Sequence, residues 1–153
     1  MYRKLLLAMA LTVGFAGAAV AQEVTIGLTM GTTGPGASLG VHYKNAFQLM
    51  PKTIGGYPVK FIMLEDKTDA TEAAKNARQL ITEDKVDALM GSVAVPSTTQ
   101  IAQIAAELKT PLMALSPVAL PPEKLEWTFV VPQSTTLMLQ PSHQCPGGRE
   151  AFA

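Results

Sequence analysis

The chain has a single cysteine, Cys145, and one thiol cannot close a bridge within its own chain. A disulfide-stapled scaffold is excluded. Neither sign of charge is in excess, because twelve Lys and Arg face twelve Asp and Glu, so nothing marks a surface for nucleic acid or another polyanion. Neither His42 nor His143 stands among other ligands at metal-binding spacing. The motifs of catalysis are missing too. The glycine-rich turn lacks the Lys-Ser/Thr ending of a phosphate-binding loop, and after Gly34-Pro35-Gly36 the next glycine, Gly40, comes one position too late for a dinucleotide fingerprint. No Gly-x-Ser-x-Gly elbow occurs, and Glu65-Asp66 has no histidine partner for acid-base work. The expectation is a protein that is not an enzyme and takes no cofactor and no metal.

What is present begins with Tyr2, Arg3 and Lys4, followed by a Leu- and Ala-rich run from Leu5 to Val20. That run is shorter than the roughly 20 residues a spanning helix needs and contains Gly14 and Gly17. Ala19-Val20-Ala21 supplies the small-x-small pattern of a signal peptidase site. Residues 1–21 therefore read as an export signal cut after Ala21. No cysteine follows to accept a lipid, so the mature chain is expected free in the bacterial periplasm.

From Glu23 onward, short strand-like and helix-like segments alternate, the signature of a parallel sheet covered by helices. Val24, Ile26, Leu28 and Met30 alternate with smaller residues as a first strand. Leu39, Tyr43, Ala46, Phe47 and Met50 recur on one helical face, with Pro51 and Gly55-Gly56 as the stop. Val59 to Leu64 reads as a second strand buried on both sides. Asp69 with Glu72 forms a capping-box pattern ahead of a helix whose inner face is Ala73, Ala77, Leu80 and Ile81. Asp87 to Met90 is a third strand. Ser97 with Gln100 repeats the capping spacing before a helix with an Ile101, Ile104, Ala105 and Leu108 stripe. Leu112 to Leu115 and Trp127 to Val131 are strands four and five, joined by a loop holding Pro117, Pro121 and Pro122. Right-handed crossovers assemble these units into a three-layer, doubly wound α/β sheet over residues 22–138. Residues 139–153 lose all periodicity and are expected to be a tail foreign to the fold, as from a reading-frame shift or a truncated gene.

In such a sheet a ligand sits outside the carboxyl ends of the strands. Strand one runs into Gly31-Thr32-Thr33-Gly34-Pro35-Gly36-Ala37-Ser38. Strand three runs into Gly91-Ser92-Val93-Ala94-Val95-Pro96-Ser97-Thr98, and strand four into Ser116-Pro117-Val118-Ala119. These hydroxyl-bearing loops, with a helix N-terminus near Ser97, suit one anionic group, most simply a carboxylate. Ser97 and Gln100 serve equally well as helix caps, and the glycines between Gly31 and Gly40 as turn formers. Leu39 and Trp127 serve as core residues in the plain reading.

The ordered set Val24-Thr25-Ile26-Gly27-Leu28, the turn Thr33 to Gly40, Gly56-Tyr57-Pro58-Val59-Lys60, Glu65-Asp66, Asp84-Lys85-Val86-Asp87-Ala88, Gly91 to Thr99 and Pro111 to Pro117 resembles the leucine/branched-chain amino-acid-binding family. These are the type I periplasmic binding proteins of ABC importers. The resemblance runs to about Met138. It implies the amino-terminal lobe of a two-lobed clamp, with flavodoxin-like strand order and incomplete, and a monomer that passes a small carboxylate to an ABC permease in the inner membrane. It further implies that Ser97 or Thr98, with the backbone around Val118 and Ala119, faces the ligand's acid group. Leu39 stands where leucine-binding members carry an aromatic, and Leu120 where they carry a threonine. The resemblance therefore implies a roomier pocket, for an amino acid or an aromatic acid. The family's second-lobe residues have no counterpart here, so the chain as written is expected to bind feebly or not at all. A ligand-sensing module of the same fold, or a non-functional gene fragment, is the alternative expectation.

Overall fold

The computed structural model describes residues 23–133. The expected signal over 1–21 and the expected tail over 139–153, with His143 and Cys145, lie outside the described residues. The alternation of apolar and small residues after Glu23 becomes β1, Val24–Met30. Helix α1 follows at Ala37–Gln48, then a short strand β2 at Thr53–Ile54 and the long strand β3 at Tyr57–Glu65. Helix α2 spans Ala70–Thr82, β4 Ala88–Gly91, α3 Val95–Glu107 and β5 Leu112–Ala114. A single helical turn, α4 at Pro122–Leu125, leads to β6 at Thr128–Val130.

The sheet order is β2-β3-β1-β4-β5-β6, and every pairing except that of β2 with β3 is parallel. The five parallel strands thus take the expected flavodoxin-like arrangement. The chain moves outward from β1 to β3 and then back across β1 to β4. Right-handed crossovers consequently place α1 on one face and α2 with α3 on the other. Register puts Gly27 beside Ile62 and Leu89, and Leu89 beside Leu112, on the face that meets α2 and α3. There Ala73, Ala77 and Leu80 of α2 and Ile101, Ile104 and Ala105 of α3 close over Leu89 and Leu112 as the main core. A side chain at Gly27 would press on Leu80 and Val86 at 3.1 Å, so the missing side chain lets α2 sit close to β1.

Four elements differ from expectation. Strand β2 is additional to the expected strands: Gly55 and Gly56, which read as a helix stop, both have positive φ and make a two-residue hairpin loop between Ile54 and Tyr57. The apolar positions of α1 do not form its inner face. Gly40 is its one buried residue, Tyr43 and Phe47 are half-buried, and Leu39 and Met50 face outward. Phe47 is the apolar link to the sheet, its ring centroid 6.1 Å from that of Phe61. Trp127, expected in strand five, is half-buried just before β6. Helix α3 begins at Val95 with Ala94 as N-cap, so Ser97 lies inside the first turn and caps nothing. The Asp69 cap does form, its Oδ1 accepting from the amides of Thr71 and Glu72 at 2.8 Å each.

Gly40 explains why α1 packs by its backbone. A Cβ there would collide with the carbonyl oxygen of Gly31, so the helix crosses the β1–α1 turn at a separation only glycine permits. On an open helix surface Gly→Ala stabilises by about 1 kcal/mol through propensity. Here Gly40→Ala is expected to reverse that sign and destabilise by about 1–3 kcal/mol through overpacking. A urea titration checks it, with an unchanged or higher midpoint contradicting the close approach.

Candidate functional site

The reversal of winding at β1 leaves a crevice at the carboxyl ends of β1 and β4, the place where ligands enter such sheets. The loops around it are joined by side chains that the strand ends themselves supply. Asp66, which follows β3, is fully buried. Its Oδ2 accepts from the hydroxyls of Thr29, at 3.0 Å, and Ser92, at 2.9 Å, and its Oδ1 accepts from the Thr68 amide at 2.8 Å. The network then continues to the next strand. Thr98 Oγ1 donates to the Ser92 carbonyl at 3.0 Å and accepts from the Ser92 amide at 3.1 Å and from the Ser116 hydroxyl at 2.6 Å. One linked set of bonds therefore spans the ends of β1, β3, β4 and β5 and the first turn of α3.

Glu65 performs a parallel task at the outer rim. Its carboxylate accepts from the amides of Thr32 at 2.9 Å, Thr33 at 3.2 Å and Lys67 at 2.9 Å, and from the hydroxyls of Thr32 and Thr33. Partial burial works to raise its pKa, but the Thr32 hydroxyl and the Lys67, Thr33 and Thr32 amides outweigh it and hold the group below its usual 4.5. Thr68 completes the staple, accepting from the Gly36 amide at 3.1 Å and donating to the Thr33 carbonyl at 3.0 Å.

The expected ligand-gripping residues fall into different settings. The Thr98 hydroxyl is fully buried, with its one proton donated and both lone pairs occupied. A hydroxyl bonded in this way presents no free proton toward the crevice. Ser97 is also fully buried, and its Oγ has no hydrogen-bond partner. Val118 is buried, its amide bonded to the Ser116 carbonyl at 2.9 Å, whereas Ala119 is exposed. Leu39 stands 57% exposed on the first turn of α1, and Leu120 packs against the core from its edge. Ser92, Asp66 and Ser116 carry the network and were not singled out as site residues from the sequence. The signal was there in part, because polar residues at the ends of three neighbouring parallel strands must find partners once buried.

Neither α1 nor the 13-residue α3 has a side-chain cap at its N-terminus. In the turn before α1, Glu65 takes the amides of Thr32 and Thr33 and Thr68 takes that of Gly36. The dipole and first-turn amides of α3 favour negative charge. Among the described residues, no group of three His, Cys, Asp or Glu side chains is placed to hold a metal ion.

Comparison with known proteins fixes the family. The pattern of the periplasmic binding proteins matches residues 23–140. This chain belongs to the periplasmic binding protein family. A solved extracellular ligand-binding receptor from Rhodopseudomonas palustris HaA2 is 39% identical, with a TM-score of 0.75, over 80% of this chain and 35% of that one. Another receptor from Rhodopseudomonas palustris is 42% identical, with a TM-score of 0.71, over 72% of this chain and 31% of its own. A leucine-binding protein from Thermotoga maritima is 28% identical, with a TM-score of 0.60, over 69% of this chain and 31% of its own. The chain thus spans about a third of the length of these solved structures. A search of curated proteins gave no match.

The Glu65 staple has a defined pH signature. Because its folded pKa lies below the ordinary value, its stabilisation is present above about pH 4.5 and is lost as pH falls through the folded pKa. Glu65→Gln should therefore melt below the wild type at neutral pH, and the gap should narrow below about pH 4. Melting curves across that range check it, and a gap independent of pH would contradict the staple.

Proposed function

We propose that this chain carries the acid-gripping wall of a periplasmic substrate-binding component that delivers a small carboxylate to an ABC permease. The observation that carries this reading is the uncapped α3 N-terminus, opening beside the exposed Ala119 loop at the point where the winding of the sheet reverses. The Val95 and Ser97 amides in the first turn of α3, together with the Ala119 backbone, form the donor side of the site, and Val118, its own amide held by the Ser116 carbonyl, supports that loop from behind. Thr98 acts from behind through Ser92 and Ser116, and Leu39 forms an apolar wall. The family and the 28%-identical leucine-binding protein support a branched-chain amino acid as ligand. With aliphatic side chains at Leu39 and Leu120, an aromatic acid suits the same pocket. Residues 1–21 serve as the export signal, and the protein binds its ligand without turning it over.

A single wall gives a weak site. Equilibrium dialysis with labelled leucine is expected to show saturable retention with a Kd on the order of 1 mM, about −4 kcal/mol. Unlabelled benzoate should compete and leucinamide should not, because the acid group is what the wall grips. Equal competition by leucinamide, or hydrolysis of an ester substrate by the protein, would overturn the proposal.

A further inference from the structure

At the rim of the site α3 begins without a side-chain cap, and the loop that follows β5 leaves Ala119 exposed. What fixes both is the buried network beneath them, and that network converges on one residue. Asp66 is the only charged-type side chain among the buried residues described, and it is 0% exposed. Its two oxygens accept three hydrogen bonds, from Thr29 at the end of β1, from Ser92 at the end of β4 and from the Thr68 amide of its own loop. Ser92 in turn grips Thr98 through both backbone groups, and Thr98 receives the Ser116 hydroxyl from the end of β5. Each link has its donor and acceptor roles assigned in one direction: Ser116 donates to Thr98, Thr98 to the Ser92 carbonyl, and the Ser92 side chain to Asp66.

We infer that Asp66 is a positioning residue, which sets the α3 N-terminus and the 116–119 loop at a common height for the ligand's acid group without touching the ligand. The inference rests on the function proposed above. The direction of the bonds is what requires a carboxyl group at this position. An asparagine of the same shape has one acceptor oxygen where two are used: with its NH2 at the Oδ2 position the Thr29 and Ser92 hydroxyl protons meet a donor, and with it at the Oδ1 position the Thr68 amide does. In the first orientation Ser92 must turn its hydroxyl away. The peptide it holds against Thr98 then loses its anchor to β1 and β3.

Hydrogen-deuterium exchange on the whole chain tests this directly, alongside dialysis of labelled leucine. Asp66→Asn is compared with Ile104→Val, a core change on α3 outside the network, at temperatures chosen to match their stability. Asp66→Asn is expected to speed exchange at least ten-fold at the Ser92 amide and across 116–119, and to weaken leucine retention at least five-fold. Ile104→Val should do neither. If Asp66→Asn does not fold, Ser116→Ala removes only the last link, and faster exchange confined to 116–119 and the first turn of α3 supports the inference in its place. Exchange in Asp66→Asn, or in Ser116→Ala where that variant decides, that matches Ile104→Val overturns the inference. Absence of leucine retention in the wild type would instead count against the proposed function, leaving the exchange result to decide the positioning role.

Discussion

A buried carboxyl group beneath the ends of four parallel strands is the constraint on which the rest of this lobe depends. Parallel strands in a doubly wound sheet end side by side, and their last peptides and side chains face a crevice rather than a partner strand. Polar groups left there without partners would cost about 1–3 kcal/mol each. Asp66 meets that requirement for β1, β3 and β4 at once, and Thr98 extends it to β5. The loops are therefore held at fixed heights by bonds within the crevice floor, and the surface above is shaped by what the floor leaves unbonded.

Two carboxyl groups adjacent in sequence divide the work. Asp66 points inward and organises the floor. Glu65 lies on the rim, where it satisfies the amides of Thr32 and Thr33. Those two amides of the β1–α1 turn are thereby taken, although the turn's glycines and threonines resemble an anion site. The uncapped start of α3 offers a helix dipole that favours an external acid group.

The architecture was legible in the sequence because its signals were periodic. The alternation after Glu23 and the apolar run from Val59 reappear as β1 and β3, and the stripes at Ala73, Ala77, Leu80 and at Ile101, Ile104, Ala105 as buried faces. The Val59 to Leu64 run, expected to be buried on both sides, is half-buried apart from the buried Val59 and the exposed Lys60. Legibility failed where a local rule had two outcomes. Gly55-Gly56 ends a helix or turns a hairpin, and only the pairing of Ile54 with Tyr57 decides between them. Ser97 with Gln100 has the spacing of a cap, yet Pro96 is favoured in the first turn and the helix starts before it. In α1 the spacing of Leu39, Tyr43 and Met50 suggested an apolar face, but the close approach at Gly40 turned the helix and left Leu39 outside. The site was less legible than the fold. Its loops were identified by their hydroxyls, but which hydroxyls are engaged inward is a property of three-dimensional pairing that no spacing encodes.

The central claim is that the acid-binding position lies at the start of α3, because the Thr32 and Thr33 amides of the β1–α1 turn are already taken by Glu65. Amide chemical-shift mapping of the chain titrated with leucine tests it most directly. The account predicts shifts concentrated in 93–98 and 117–119, with Thr32 and Thr33 unmoved. Shifts centred on Thr32 and Thr33, or spread across the outer face of the sheet at Met113 and Phe129, would contradict it.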